Sequence, residues 1–279
     1  MPTDRPNPLR LAILGIDGSG KSTVARCLAE RALVGGRHAV LSCVRPHENP
    51  DAPLHELSRH LDVLSKEADR LGSPELKLAV LYLQMCTYGV GERFVTRELG
   101  VDVVVSERHP VIDALAYLPL YRSAIVRAAG PGRADAVRAK LAALPAESVE
   151  AAAAWCEALG RRSARPAPKL ETLAGELVAL AGRPAAEQIA EFRVRFGTGL
   201  PDIAVLLDVA VETAADRIGA RDRRAEQHER PDRLIRLRDG YDRALPAFGA
   251  VALHRIQVGA RPPGDVAAEI ARLVTAGAR

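Results

Sequence analysis

The chain has 279 residues with a formal net charge of +4; 48% of its residues are hydrophobic and 4% aromatic, which suits one large domain or two modest ones around a real core. Its four cysteines are scattered, with no C-x-x-C pair and no histidines at ligand spacing, which argues against a disulfide framework or a zinc site. The polar, proline-rich start MPTDRPNPLR, the lack of any apolar run near the roughly 18 residues of a membrane span, and the scarcity of aromatics for base stacking point to a soluble protein of a reducing cytoplasm. They point away from a membrane or nucleic-acid partner.

Taken in chain order, the first apolar run, Leu11 to Gly15, leads through GIDGSGKS into the helix-forming stretch STVARCLAERALVGG. Further short, β-branched runs follow at His38 to Val44, Val101 to Ser106, Ile203 to Val209 and Leu253 to Val258. Each is continuous rather than alternating, and most are separated by helical periodicity, which is how strands buried on both faces of a parallel sheet read. The fold class is therefore α/β: a five-stranded parallel sheet with helices on both faces and ligands expected along the strand C-termini. From residue 120 to 200 the rhythm changes to alanine-rich helical stretches, Ala134 to Leu144, Glu147 to Leu159, Leu170 to Ala181 and Ala185 to Phe196, punctuated by PG, RPAP and GRP. Their leucine and valine stripes need another surface to bury them, so this segment reads as a helical insert and not an independent domain. Residues 1–119 and 201–279 form the core in that division. A low-complexity excursion is the alternative for the insert.

Gly15 to Ser22 fit G-x-x-x-x-G-K-[ST], with a strand before and a helix after, the context that the motif requires. In such a turn Gly15, Gly18, Ser19 and Gly20 let successive N–H groups point inward at phosphate oxygens, and the positive end of the next helix adds its field. Lys21 would bridge the outer phosphates of a nucleoside triphosphate, and Ser22, followed by Thr23, would offer a hydroxyl to Mg²⁺. No N-K-x-D guanine signature is present. Instead VDVVV ends in Ser106-Glu107-Arg108-His109, which sets a carboxylate and a guanidinium at the sheet edge beside the cradle. Glu107 could hold Mg²⁺ or orient an acceptor, and Arg108 could neutralise a phosphoryl group in transit; a surface ion pair is the plainer alternative.

With these features in place the sequence resembles the thymidylate kinase family of P-loop nucleoside and nucleotide kinases. The likeness rests on GIDGSGKST, VVVSERHPVIDALAY, LPDIAVLLDVAVETAADRIGARDRR, RLIRLRDGYDRAL and VGARPPGDVAAEI, and leaves the insert uncovered. The resemblance implies a P-loop kinase fold, ATP as phosphoryl donor with Mg²⁺, and a homodimer paired through helices beside the sheet. It implies that Asp17 faces the acceptor's sugar and that Arg45, in CVRPHE, meets the acceptor phosphate. Arg221, Arg223 and Arg224 fall in its lid, with Glu226 and Glu229 as neighbours. Arg217 on the preceding helix and Arg261 near the adenine pocket are assigned to the nucleotide.

Departures concern the acceptor. Where the family carries an acceptor-reading arginine this chain has VLYLQMCTYGVGER, with Thr87 at the matching place, and Glu107 stands for the family's usual aspartate. Both lean towards the deoxynucleoside kinases, in which a glutamine like Gln84 pairs with the base. Tyr82 is placed with the acceptor-binding residues; for Tyr82 and Tyr88 a base-stacking platform stands against the plainer reading of core or cleft-wall residues. The leading expectation is phosphoryl transfer from Mg-ATP to a nucleoside monophosphate bound by Arg45. In the alternative the acceptor is a nucleoside, and Glu48 or Glu107 takes the hydroxyl proton. A nucleotide-dependent regulatory ATPase is the third reading.

Overall fold

A computed structural model describes residues 7–33, 36–127, 133–163, 166–220 and 231–277. Five parallel strands, β1 (Leu9–Leu14), β2 (His38–Ser42), β3 (Val103–Glu107), β4 (Ile203–Asp208) and β5 (Ala252–Gln257), form one sheet in the order β2-β3-β1-β4-β5. The three central strands carry the continuous apolar runs because helices cover both of their faces. The edge strands are more polar: β2 is half-buried throughout and β5 is exposed at most positions. The apolar run expected from Leu253 is thus an edge strand whose outer residues meet water.

Glycine, proline and polar signals delimit the helices. α1 (Lys21–Ala29) begins at Gly20, and α2 (His55–Arg70) leads to α3 (Pro74–Arg93), which has Ser73 as its side-chain cap and proline in its first turn. α4 (Pro110–Arg127) starts directly after the third strand and runs through Leu120. After it come α5 (Arg133–Leu141), α6 (Ala146–Ser163), α7 (Leu170–Leu180) and α8 (Ala185–Phe196), then α9 (Val211–Gly219), α10 (Pro231–Ala244) and α11 (Pro263–Gly277). α1 packs on α11, while α2, α3, α4 and α10 pack as a second group.

α6 lies on α2 and α3, and α7 and α8 lie on α3 and α4. Trp155 of α6 donates its indole N–H to the Leu83 carbonyl at 3.2 Å, and Phe196 of α8 meets Tyr82 with ring centroids 5.6 Å apart. Phe192, Phe196, Trp155 and Leu173 belong to the same core cluster as Leu11 and Ile13 of β1. The stripes of leucine and aromatics are therefore buried against the helices that wall the sheet edge. Among the described residues no helix is long and apolar enough to cross a membrane.

Candidate active site

The register fixes which side chains meet. Glu107 stands opposite Ile13 of β1 and Ser42 of β2, so the end of β3 lies between the phosphate loop and the turn that follows β2. Every parallel strand delivers its C-terminus to the same edge, which is why motifs distant in sequence converge here.

The loop after β1 has the shape the motif requires. Gly15 and Gly18 hold φ of +141° and +80°. At Gly18 a Cβ would overlap the carbonyl of Ala214 and lie 2.8 Å from its Cα, so only glycine lets α9 pack this close. Ser19 is buried, and its hydroxyl has no partner among the described residues. Lys21 is 5% exposed and donates to the Ile16 carbonyl at 2.7 Å, with Asp17 at 3.9 Å. Burial, followed by repulsion from Arg108, pushes its ammonium down to about 8. An orphaned hydroxyl and an under-compensated cation in a left-handed glycine turn fit a polyphosphate anion.

Ser22 lies in the first turn of α1, and its hydroxyl donates to Glu107 Oε1 at 2.5 Å. The two groups that could share a cation are therefore in contact, and a cation between them would take the place of that hydrogen bond. Thr23 is exposed on the same helical turn. Arg217 of α9 ties the loop to the closing segment, donating to the Gly18 carbonyl at 3.3 Å and the Gly259 carbonyl at 2.6 Å. Arg261 turns to Glu269 at 2.7 Å. Arg221, Arg223, Arg224, Glu226 and Glu229 lie outside the described residues.

Arg108 adopts φ of +66°, uncommon for a residue with a side chain, while its own N–H donates to Ile13 O at 2.9 Å. That turn sends the guanidinium into a buried network: it pairs with Asp17, donates to the Tyr117 hydroxyl at 2.6 Å and lies 3.6 Å from Asp113. Tyr241 of α10 donates to Asp113 at 2.5 Å. Burial works against the Arg108 charge, but Asp17 and the neighbouring groups hold it firmly protonated. Burial raises the Asp113 carboxyl against the pull of Arg108 and the Tyr241 hydrogen bond. Sequence reasoning did not single out Asp113, Tyr117 or Tyr241. The signal was there in Asp113, a lone acid in an apolar helix four residues past His109. His109 itself is buried, driven down to about 3 by desolvation, and so stays neutral.

Asp17, Arg45, Gln84 and Arg108 line one cleft beside the loop, together with Asp62, Ser65 and Tyr117. Its volume is about 50 Å³, well below the few hundred Å³ of a small-molecule pocket. Gln84 is 3% exposed, and its side-chain oxygen has no partner among the described residues. Arg45 and Glu48 sit at a short turn after β2, 3.4 Å apart, with side chains 38% and 53% exposed.

One expectation is corrected, that Tyr82 meets the acceptor. Tyr82 does not line this cleft: it points to the opposite side of α3, against Phe196 and beneath Arg195, because residues two apart on a helix face different ways. Tyr88 packs edge-on to His109 in the core. Thr87 is buried and donates to the Gln84 carbonyl at 2.7 Å, so no cation projects from that place.

No family model matches the chain, and no curated protein matches it by sequence. A solved structure does: a thymidylate kinase from Candida albicans, with a TM-score of 0.50 over 98% of this chain and 94% of that one, at 11% identity. The fold is P-loop kinase-like. At that identity the likeness covers architecture alone, and the residues at the strand ends have to argue for themselves.

Proposed function

We propose that the protein transfers the terminal phosphoryl group of a nucleoside triphosphate to the hydroxyl of a nucleoside or nucleoside-like acceptor. The observation that carries this reading is Gln84: a buried primary amide with a free oxygen, in a cleft that opens on the phosphate loop. Such an amide offers a donor and an acceptor in one plane, as the edge of a base requires. The cleft's charge favours a neutral acceptor. Asp17, Asp62 and Asp113 stand against Arg45 and Arg108, and Arg108 is already held by Asp17. A dianionic monophosphate would find no surplus of positive charge there.

In this reading Lys21, Ser19 and the loop N–H groups hold the donor's outer phosphates. ATP supplies the transferred group, and Ser22 and Glu107 would hold Mg²⁺, which when bound would supply charge neutralisation to the phosphoryl group. With Glu107 given to the cation site beside Ser22, Glu48, 3.4 Å from the cleft residue Arg45, is left to take the hydroxyl proton as the acceptor oxygen bonds to phosphorus and the nucleoside diphosphate leaves. Arg108, kept in place by Asp17 and Tyr117, stabilises the phosphoryl oxygens through its field. The insert helices α6, α7 and α8 back the acceptor wall by bracing α3 and α4.

A monophosphate acceptor is the second reading, favoured by the exposure of Arg45 at the cleft mouth. A panel of nucleosides and monophosphates with Mg-ATP, read by phosphorus NMR with Lys21→Ala as control, separates the two. New monoesters from nucleosides, lost in Lys21→Ala and reduced about a hundredfold in Glu48→Gln, support the first. Turnover of monophosphates alone supports the second, and ATP hydrolysis indifferent to any acceptor overturns both.

A further inference from the structure

The sheet has a second concavity at its other end. It measures about 760 Å³ and lies between the start of β1, the C-terminal turn of α3 and the end of α8. Arg10 of β1 and the loop's Gly15, which directly follows that strand, are five residues apart, roughly 16 Å, so this cavity is separate from the site described above. Among the described residues its charged lining is Arg10, Arg93, Arg97 and Arg193, with Glu92 as the one carboxylate.

Glu92 does not balance that lining. It is buried and takes Arg10 Nε at 2.5 Å and the Thr198 hydroxyl at 2.5 Å, which uses its charge on Arg10. Arg93 donates to the Gly197 carbonyl at 3.0 Å; burial, then repulsion from Arg162 and Arg97, holds its guanidinium below the ordinary value. Arg97 and Arg193 are exposed and have no acidic partner among the described residues. Folding has therefore set Arg93 against the like charges of Arg97 and Arg162 and left Arg193 beside them without a carboxylate among the described residues, an arrangement that an arriving anion would relieve.

We propose that this cavity binds a polyphosphate, either the chain of a nucleoside triphosphate or inorganic tripolyphosphate, as a second site independent of the phosphate loop. Guanidinium forks match phosphate oxygens two at a time, and concave protein walls strengthen the field between them. The volume is that of a small-molecule site, large enough for a triphosphate with its nucleoside. A single carboxylate ligand would leave most of the lining uncompensated.

The test is calorimetric titration of magnesium-free tripolyphosphate into the Lys21→Ala protein at low salt, repeated after adding Arg97→Ala and Arg193→Ala. The expected result is one site that survives Lys21→Ala, weakens at least tenfold without the two arginines, and weakens with added salt. Arg97→Glu alone, at an exposed position, gives a second measure and is expected to abolish binding. ATP in place of tripolyphosphate identifies the natural source: tighter binding assigns the site to nucleotides, equal binding to the phosphate chain alone. The proposal is overturned if Lys21→Ala binds nothing or if loss of the arginines leaves its affinity unchanged. It is equally overturned if a single-stranded oligonucleotide binds there and tripolyphosphate does not.

Discussion

Nucleotide affinity should fall as pH rises through the range in which Lys21 loses its proton. Lys21 is buried and faces Arg108, Asp17, Glu107 and Asp113, and its ammonium titrates near 8. Keeping it protonated at neutral pH costs on the order of 3 kcal/mol relative to water, which an arriving polyphosphate removes. With a triphosphate bound, the lysine recovers a high value, so the apparent dissociation constant grows with the deprotonated fraction of the free protein. Between pH 7.5 and 9.0, where phosphate is already fully ionised, that growth is about eightfold, or roughly 1.2 kcal/mol. The assay is displacement of a fluorescent, non-hydrolysable triphosphate in chelator. Lys21→Met should bind more weakly and show no such slope. A flat wild-type profile, or the same slope in Lys21→Met, refutes the assignment.

Gly18→Ala, which drives a methyl into Ala214 and strains a left-handed turn, should cost about 3 kcal/mol, lower Tm by about 6–10 °C and abolish nucleotide binding. Gln84→Leu removes an amide whose oxygen has no partner among the described residues: stability in urea should hold or rise, while the acceptor KM climbs at least tenfold with nucleotide affinity unchanged, and an unchanged KM would remove Gln84 from the base. Tyr241→Phe strands the buried Asp113 carboxylate and should lose about 2 kcal/mol in urea unfolding with the m-value unaltered. Burial opposes the Asp208 charge, but hydrogen bonds from Gln257 and Arg255 and the nearby Arg238 hold its carboxyl below the usual value. Its stabilisation is thus present above the unfolded carboxylate value and lost as pH falls through the lowered one. Asp208→Asn should flatten the acid-unfolding curve below about pH 4.

Much of this protein is legible without coordinates because local chemistry dictates it. The apolar runs fix the strands, and glycines with a lysine and serine at fixed spacing fix the loop, since only such residues permit that backbone. The end of β3 is legible for the same reason: Glu107 and Arg108 stop an apolar run where a parallel sheet exposes its ligand edge. What sequence could not determine depends on which helix face turns which way and on what packs across it. The rotation of α3 sends Gln84 to the cleft and Tyr82 to α8. The reach of α10 brings Tyr241 to Asp113 across 128 residues. The arginines at the far end come from β1, from α3 and the turn that follows it, and from α8, and they meet only once the sheet and insert have assembled. Such electrostatic encounters fall off with distance in space rather than along the chain, so the tertiary structure alone decides them.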